Sequence, residues 1–319
     1  MKSLKLWIVL SLSLCVVACG DDGGDNGSPA DGGGGGGACA DPAAIEDPVL
    51  DPGEGHAGID TTPGACGASW TVGVTGRVEN PSGEGLGGAR TQLCITTPSN
   101  YLCLVPPTTD ASGNFDIGVA DVSARCIVSS VMRVSLYTDR YASTYCDLDV
   151  MPVDGVFALS EPLVLYPVEP PACLPELGDE TVARTITFPD GLALVDLRPE
   201  QFATSYYTEL AAGRADLTGT CMLEHAPAGG LDATWGLRPD VDVRDGVKIR
   251  LPNVTGLAPG AQVNLYVMGG LSTKVNDEPV PEGEWAMYGT GTVDAEGAFI
   301  NSDEGSLLPT LNWVGYAAQ

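Results

Sequence analysis

The two histidines of the chain are the first residues to test for catalysis, because imidazole is the commonest general base near neutral pH. His56 lies in the sequence Gly-Glu-Gly-His-Ala-Gly, and His225 directly follows Glu224. Neither belongs to an HExxH zinc motif, and the chain has no GxSxG nucleophile motif. The motifs therefore predict no catalytic residue, although a triad or a carboxylate pair assembled in space stays open.

Carboxylates at short spacing raise the question of a metal. Asp240, Asp242 and Asp245 lie in the stretch Asp-Val-Asp-Val-Arg-Asp-Gly that ends at Gly246. Calcium takes six to eight oxygen ligands, so these three could supply part of a calcium site, the only cofactor that the sequence suggests. The spacing is not that of an EF-hand, and the alternation of valine with aspartate favours a strand with one exposed face.

Eight cysteines follow Cys19, and their even number predicts disulfides in an exported chain. The chain has no CxxC pair that would favour zinc. The eight thiols allow 105 pairings, and sequence alone does not choose among them. Local spacing favours Cys94–Cys103 across a predicted hairpin, then Cys126–Cys146, Cys39–Cys66 and Cys173–Cys221.

Aromatic side chains are the remaining candidates for ligand contact. They fall in two groups: Tyr137, Tyr141 and Tyr145 at a spacing of four, and Tyr206, Tyr207, Trp285, Tyr288, Trp313 and Tyr316 further along. Aromatic rings can form platforms for sugars or protein partners. In a β protein with only five phenylalanines, we favour places in the core instead.

A fourth type of chemistry concerns Cys19. The segment Leu6–Val17 is apolar but too short for a helix through a hydrocarbon core of about 30 Å. It ends in Val16-Val17-Ala18-Cys19, which resembles the lipobox of bacterial lipoproteins. The resemblance implies that residues 1–18 are a removed signal peptide and that Cys19 carries acyl chains such as palmitate. Gly20 in place of aspartate directly after the cysteine favours the outer membrane, on the cell surface or the periplasmic face, over retention in the inner membrane. The alternative to a lipoprotein is an ordinary cleaved signal with a chance cysteine.

The segment after Cys19 is a predicted tether. Residues 20–38 read GDDGGDNGSPADGGGGGGA and contain no aromatic or large aliphatic side chain that a core could bury. We assign residues 19–66 to the lipidated cysteine and this flexible acidic, glycine-rich tether. The protein would then reach its membrane only through the lipid anchor.

The charge of the chain excludes one class of partner. The formal net charge is −27, and loss of Lys2 and Lys5 with the signal leaves 13 basic against 42 acidic residues, or −29. Nucleic acid binding depends on basic patches that neutralise phosphates, so no nucleic acid partner is expected. The acidic surface favours solubility.

The rest of the chain predicts an all-β protein of two sandwich-like domains, because 42 glycines and 24 prolines separate short apolar runs. In residues 67–172, Thr71–Val78 alternates as a strand, Thr109–Ile117 is a tight turn that sends Phe115 into the core, and residues 163–166 close the unit. This order resembles the carboxypeptidase regulatory-like domain. The resemblance implies a transthyretin-like β-sandwich and no particular activity.

The second β domain is assigned to residues 173–319. Alternating runs at residues 247–254 and 261–267 flank the Pro259-Gly260 turn, and one helix is predicted over Pro199–Gly213. These features together predict a non-enzymatic binding or structural module for a protein or polysaccharide partner of the cell envelope. The alternative is an envelope hydrolase whose site is assembled between the domains.

Overall fold

Strands form nearly all the regular structure in the computed structural model, which describes residues 39–40, 55–64, 66, 69–105, 107–136, 140–148 and 154–319. Within these described residues, strands account for 48% and helix for 6%, with no helix of seven residues or more. The all-β prediction is therefore confirmed. The predicted acylation at Cys19 and the tether segment 20–38 lie outside the described residues.

The first eleven strands form the N-terminal part of the fold. They are β1 (Cys39–Ala40), β2 (Ser69–Glu79), β3 (Arg90–Thr96), β4 (Tyr101–Cys103), β5 (Asn114–Gly118), β6 (Cys126–Ile127), β7 (Ser129–Ser135), β8 (Thr144–Asp147), β9 (Gly155–Ala158), β10 (Leu163–Val164) and β11 (Leu174–Pro175).

Strands β2 to β10 form a two-sheet sandwich, called here the N-terminal sandwich. In one sheet β2 is the centre, parallel to β9 and β10 and antiparallel to β5 and β6. The other sheet has the antiparallel order β4-β3-β7-β8. Side chains such as Val74, Phe115 and Met132 fill the space between the sheets, and the predicted burial of Phe115 is confirmed. Gly113 makes the turn before it at φ 82°, a conformation that suits glycine.

The last ten strands form the C-terminal part. They are β12 (Arg184–Thr187), β13 (Ala193–Leu197), β14 (Ala211–Ala215), β15 (Ala233–Pro252), β16 (Gln262–Met268), β17 (Lys274–Val275), β18 (Glu278–Pro279), β19 (Trp285–Val293), β20 (Phe299–Ser302) and β21 (Leu308–Ala318).

Five of these strands close on themselves and make the C-terminal barrel. The pairings run β15-β20-β19-β16-β21, and β21 pairs again with β15. Strands β12, β13 and β14 extend the sheet beyond this circuit, and β17 and β18 form a separate hairpin. The barrel interior holds an apolar core that includes Trp235, Leu265 and Tyr316. Trp235 and Tyr316 stack with their ring centroids 5.9 Å apart.

The prediction of an α-helix over Pro199–Gly213 is wrong. The segment forms two 3-10 turns, Pro199–Gln201 and Thr204–Glu209, and then joins the sheet as β14. Pro199 does begin the first turn, as its fixed φ favours. The sheet pairing of β14 with β15 outweighs the weak local helix signal, because tertiary contacts override propensity. Two more 3-10 turns lie at Val122–Ala124 and Cys221–Leu223.

The eight predicted disulfide cysteines form four pairs. The Cys94–Cys103 bridge is confirmed, since these residues face each other across β3 and β4. The other pairs are Cys39–Cys173, Cys66–Cys126 and Cys146–Cys221. The predicted bridges Cys126–Cys146, Cys39–Cys66 and Cys173–Cys221 are therefore wrong.

Contacts over long sequence distances, most of them between paired strands, explain these corrections. Strand β6 carries Cys126 and pairs with the start of β2, which brings Cys126 to Cys66. Strand β1 carries Cys39 and pairs with β11, which follows Cys173 directly. Cys146 lies at the sheet edge that meets the turn Cys221–Leu223, so its bridge joins the sandwich to the C-terminal part. Proximity along the chain carried no information about these pairings.

Candidate functional site

A cleft lies where the N-terminal sandwich meets the C-terminal barrel, and we call it the interface cleft. Its volume is about 240 Å³. The sandwich contributes Arg90, Arg133 and Tyr145, and the C-terminal part contributes Glu209, Arg238 and Asp240. Ligand sites commonly occur at such domain interfaces, where rigid elements present convergent polar groups.

The sandwich side of the cleft is built by strand register. Gln92 on β3 pairs with Arg133 on β7, and Arg133 pairs with Tyr145 on β8. Neighbouring strands place paired side chains on the same face, so these three form one row across the sheet. On β7 the alternate residues Met132 and Val134 point into the sandwich core. The period of two therefore turns Arg133 outward, toward the barrel.

The Arg133 side chain joins the two parts of the fold. Its Nε and Nη2 donate to both carboxylate oxygens of Glu282, and its Nη1 donates to Oε1 of Gln92 at 3.0 Å. The exposed fractions of the Arg133 and Glu282 side chains are only 17% and 13%. Burial is the largest single influence and opposes the charge on Arg133, but the hydrogen bonds to Glu282 and the negative charge of Glu282 together outweigh burial and raise the pKa of the guanidinium. A bidentate pair of this kind fixes the position of both groups.

The barrel side of the cleft comes from an irregular part of β15. The pairing of β15 with β21 shifts between Gly236 and Val241. Pro239 lies inside this stretch and lacks the N–H that a ladder needs, which favours a bulge here. The irregularity directs Arg238 and Asp240 into the cleft, where the Tyr145 hydroxyl donates a hydrogen bond to the Asp240 carboxylate.

The pKa of the Asp240 carboxyl group is raised above its ordinary value. Loss of solvation raises its pKa from 3.8 to about 6, although the hydrogen bond from Tyr145 acts in the opposite direction. The negative charges of Asp242 and Glu282 add to the rise, and the positive charge of Arg133 reduces it. Burial and the Asp240 charge together raise the pKa of the Tyr145 hydroxyl well above its ordinary value. A carboxyl group of this kind changes its charge between about pH 5 and 7.

Other contacts hold the two walls of the cleft at a fixed separation. Arg238 Nη1 donates to the carbonyl oxygen of Leu136 at 2.9 Å, and Trp313 Nε1 donates to the carbonyl oxygen of Ser143 at 2.6 Å. Trp313 is fully buried and meets Tyr166 edge to face at 5.7 Å. These apolar and polar contacts, with the Cys146–Cys221 bridge, make the cleft a built feature rather than a surface groove.

A second pocket of about 590 Å³ adjoins the interface cleft, and we call it the hairpin pocket. Tyr101, Asp147 and Lys274 contribute to its lining. Leu271 lines both pockets, and the Arg133–Glu282 pair has one partner in each. Tyr101 reaches Glu282 with its hydroxyl at 3.4 Å while its side chain stays exposed. The two pockets therefore follow one another along the interface.

The two histidines lie outside the interface cleft. His56 Nδ1 lies 2.6 Å from Oδ1 of Asp116 in the sandwich, and His225 Nε2 lies 3.3 Å from Oδ2 of Asp147. Neither residue lines the interface cleft or the hairpin pocket. Neither histidine can therefore act as a catalytic base within the interface cleft. Two carboxylates, those of Glu209 and Asp240, do line the interface cleft.

The three carboxylates of the calcium candidate contact different partners in the structure. Asp240 accepts from Tyr145, Asp242 accepts from Ser272 Oγ at 2.7 Å, and Asp245 lies 4.0 Å from Arg198. Within the part of the chain that the structure describes, no three His, Cys, Asp or Glu side chains come close enough to hold a metal ion. The alternation in this stretch reflects a strand, β15, as the sequence favoured.

Most of the candidate aromatic residues belong to the core, as favoured from the composition. The buried ones are Tyr145, Tyr207, Trp313 and Tyr316, and two more, Trp285 and Tyr288, are partly buried and pack against the apolar core. Tyr206 is the exception, with 38% of its area exposed at the cleft. Tyr141 is partly buried, packs against the sandwich core and also lines the cleft. Tyr137 lies outside the described residues.

Sequence reasoning named Asp240 and Tyr145 for other reasons and missed the arginines and Glu282. One signal was available for Arg133. It interrupts the small and apolar residues of Ser129–Ser135 at a regular strand position, which predicts an outward-facing charge. No local signal pointed to Glu282, because its partner is 149 residues away. In the described part of the chain, no helix is long and apolar enough to span a membrane.

Comparison of the amino-acid sequence with known proteins does not assign this chain to a family. A scan against protein-family models gave no match, and a search among curated proteins gave none. The function of the cleft is therefore argued from its own residues.

Proposed function

We propose that this chain is a lipid-anchored protein of the bacterial envelope that binds a protein or polysaccharide partner without chemical conversion. The observation that carries the proposal is the interface cleft, a cavity of about 240 Å³ with charged groups contributed by both parts of the fold. Its walls are strands tied by a disulfide and a bidentate ion pair, so the polar groups are positioned before a ligand arrives.

The anchor in this proposal is supported by the sequence Val16-Val17-Ala18-Cys19 after a short apolar run. Four disulfides in one chain fit an exported, oxidising location. The two-sheet sandwich of β2 to β10 fits the proposed carboxypeptidase regulatory-like domain. Outer-membrane sorting rests on Gly20 alone.

The anchor is tested by replacing Cys19 with alanine in the full-length protein expressed in its host. The wild type should take up a labelled fatty acid and partition into detergent, because several acyl chains together give stable membrane binding. The C19A variant should lose both properties. The matched control is Cys15→Ala, which changes a cysteine four positions earlier and should keep the label. Labelling of C19A would refute acylation at this position.

The binding function is tested by cross-linking the native protein in cells, identifying the captured neighbours and screening polysaccharides of the same envelope. One partner recovered in constant proportion to the protein, or one polysaccharide bound by the purified full chain, is the expected result. Tyr206→Ala removes an exposed ring from the cleft and should weaken that binding. The control Tyr101→Phe keeps a ring in the hairpin pocket. Equal capture by all variants and no bound polysaccharide would contradict the proposal.

A second candidate is an envelope hydrolase, and a specific observation favours it over other enzymes. Asp240 and Glu209 both line the cleft, and the pKa of Asp240 is raised to about 6 by burial. The Glu209 carboxylate lies 4.0 Å from Arg238 Nη2. A glycosidase uses one carboxyl group with a raised pKa as acid and one ionised carboxylate as base or nucleophile.

The hydrolase candidate is tested by measuring new reducing ends in envelope polysaccharides incubated with the purified protein. Release that Asp240→Asn and Glu209→Gln each abolish would favour the enzyme. Binding of the polysaccharide with no release by the wild type would favour the binding module.

A further inference from the structure

Arginine is concentrated in the interface cleft. The chain carries 42 acidic and 15 basic residues, yet three of the basic ones, Arg90, Arg133 and Arg238, line this one cavity. Two acidic residues, Glu209 and Asp240, line it with them. Glu282 also pairs with Arg133, so the charges at the cleft are nearly balanced, and recognition of an anion there rests on the guanidinium donors and not on a net positive charge.

The arginines are also held in place. Arg238 has only 7% of its area exposed and donates to the Leu136 carbonyl, and Arg133 is fixed by Glu282 and Gln92. Planar guanidinium groups recognise carboxylates with parallel hydrogen bonds, and fixed donors lose little entropy when a ligand binds.

We propose that the interface cleft binds the carboxylate of an acidic sugar residue, and that the partner of this protein is an acidic polysaccharide of the uronate type. The inference rests on the proposed binding function and names its ligand class.

The dimensions and lining of the cleft favour a sugar over a protein surface. A cavity of about 240 Å³ is smaller than most drug-sized ligand sites and suits one ring with its substituents. Tyr206 presents a partly exposed ring at the cleft, and such rings stack against sugars. Besides its three arginines, Gln92, Ser135 and Ser143 give the cleft hydrogen-bonding groups for hydroxyls.

The hairpin pocket extends the site and favours a polymer over a free monosaccharide. It shares Leu271 with the interface cleft, and it offers the ring of Tyr101, which is 54% exposed. Lys274 lines it together with the carboxylates of Asp147, Glu282 and Glu284, so this pocket favours a neutral sugar residue next to the acidic one. One sugar residue in each pocket would place a continuous chain across the Arg133–Glu282 pair.

The experiment measures binding of the purified full-length protein to oligogalacturonate, oligoalginate and a glucuronate-containing oligosaccharide by calorimetry. Each probe has a matched control in which the carboxyl groups are reduced to alcohols, so that only the charge differs. At least one acidic probe should bind, with an affinity that falls as salt concentration rises. Its reduced form should bind at least tenfold more weakly, the loss expected when charge-assisted hydrogen bonds are removed.

Two variants that each remove one positive charge, one inside the cleft and one outside it, test whether the acidic probe binds in the cleft. Arg90→Gln should weaken binding of the acidic probe about tenfold or more, and Arg90→Lys should restore part of the affinity. Arg214→Gln is the control, because Arg214 is exposed on β14 and does not line the cleft. Thermal unfolding of each variant separates loss of binding from loss of folding.

The outcomes separate this inference from the function on which it rests. Equal binding of acidic and reduced probes, or full affinity in a folded Arg90→Gln variant, would overturn the acidic ligand and leave a binding module. No binding of any acidic probe, with a protein partner recovered by cross-linking, would overturn the inference alone. No probe bound and no partner recovered would refute both.

Discussion

Asp240 is the group through which this protein should sense pH, and Asp240→Asn is the perturbation that reveals it. The carboxyl group is half-buried between the sandwich and the barrel, where it accepts a hydrogen bond from the Tyr145 hydroxyl. Its pKa is raised to about 6 from 3.8. Asparagine has nearly the same shape and keeps an oxygen for the Tyr145 hydrogen bond, but it carries no charge.

The sign of the effect follows from proton binding. Between about pH 4 and pH 6 the folded protein holds a proton on Asp240 that the unfolded chain has lost, so stability falls as the pH rises. One pKa unit corresponds to about 1.4 kcal/mol. The shift therefore lowers the free energy of unfolding by roughly 3 kcal/mol at pH 7 relative to pH 4, as an upper figure.

The assay is urea unfolding of wild type and Asp240→Asn at half-unit steps from pH 4 to pH 7. The difference in free energy of unfolding should be small at pH 4 and should grow in favour of the variant, reaching roughly 3 kcal/mol above pH 6. Comparing two proteins at each pH cancels other groups that titrate in this range.

Asp110→Asn is the matched control. Backbone and side-chain hydrogen bonds from Asn114, with a further one from the Ser112 N–H, lower the pKa of Asp110. The stability contributed by this charge is present above pH 3.8 and is lost only below it. The control should therefore match the wild-type slope from pH 4 to pH 7. A constant difference between Asp240→Asn and wild type across this range would refute the reasoning.

Three further predictions concern the interface. Removing the Cys146–Cys221 bridge by double serine substitution should lower the free energy of unfolding by about 4 kcal/mol, and removing Cys94–Cys103 by about 2.5 kcal/mol, because the first closes the longer loop; denaturant unfolding gives both values, and equal losses would contradict the loop argument. Arg133→Met should cost about 3 kcal/mol or more by leaving Glu282 buried without its partner; the double variant with Glu282→Met should recover part of this loss in a double-mutant cycle, and additive losses would deny the coupling. Trp313→Phe keeps a buried ring but leaves a carbonyl of the sandwich without its donor, so melting should show a loss of about 1–3 kcal/mol, and an unchanged melting temperature would contradict that role.

The amino-acid sequence was sufficient for the features that depend on local patterns. Alternation over Thr71–Val78 predicted the strand β2, and the glycine in Thr109–Ile117 predicted the turn that buries Phe115. The even number of cysteines predicted disulfides, and the short hairpin predicted Cys94–Cys103 correctly. Each of these inferences needs only residues within about ten positions of one another, where spacing and backbone geometry determine the structure.

The tertiary structure alone decided the features that join distant residues. Contacts between residues 60 or more positions apart decided three disulfide pairings, the closure of the barrel from β15 to β21 and the meeting of Arg133 with Glu282. The cleft itself is of this kind. In the amino-acid sequence, Asp240 is one of several carboxylates in an acidic stretch. Only its position opposite Tyr145 in the folded protein removes it from water and raises its pKa. The physical reason is that desolvation and charge pairing depend on distance in space, which local sequence patterns do not encode.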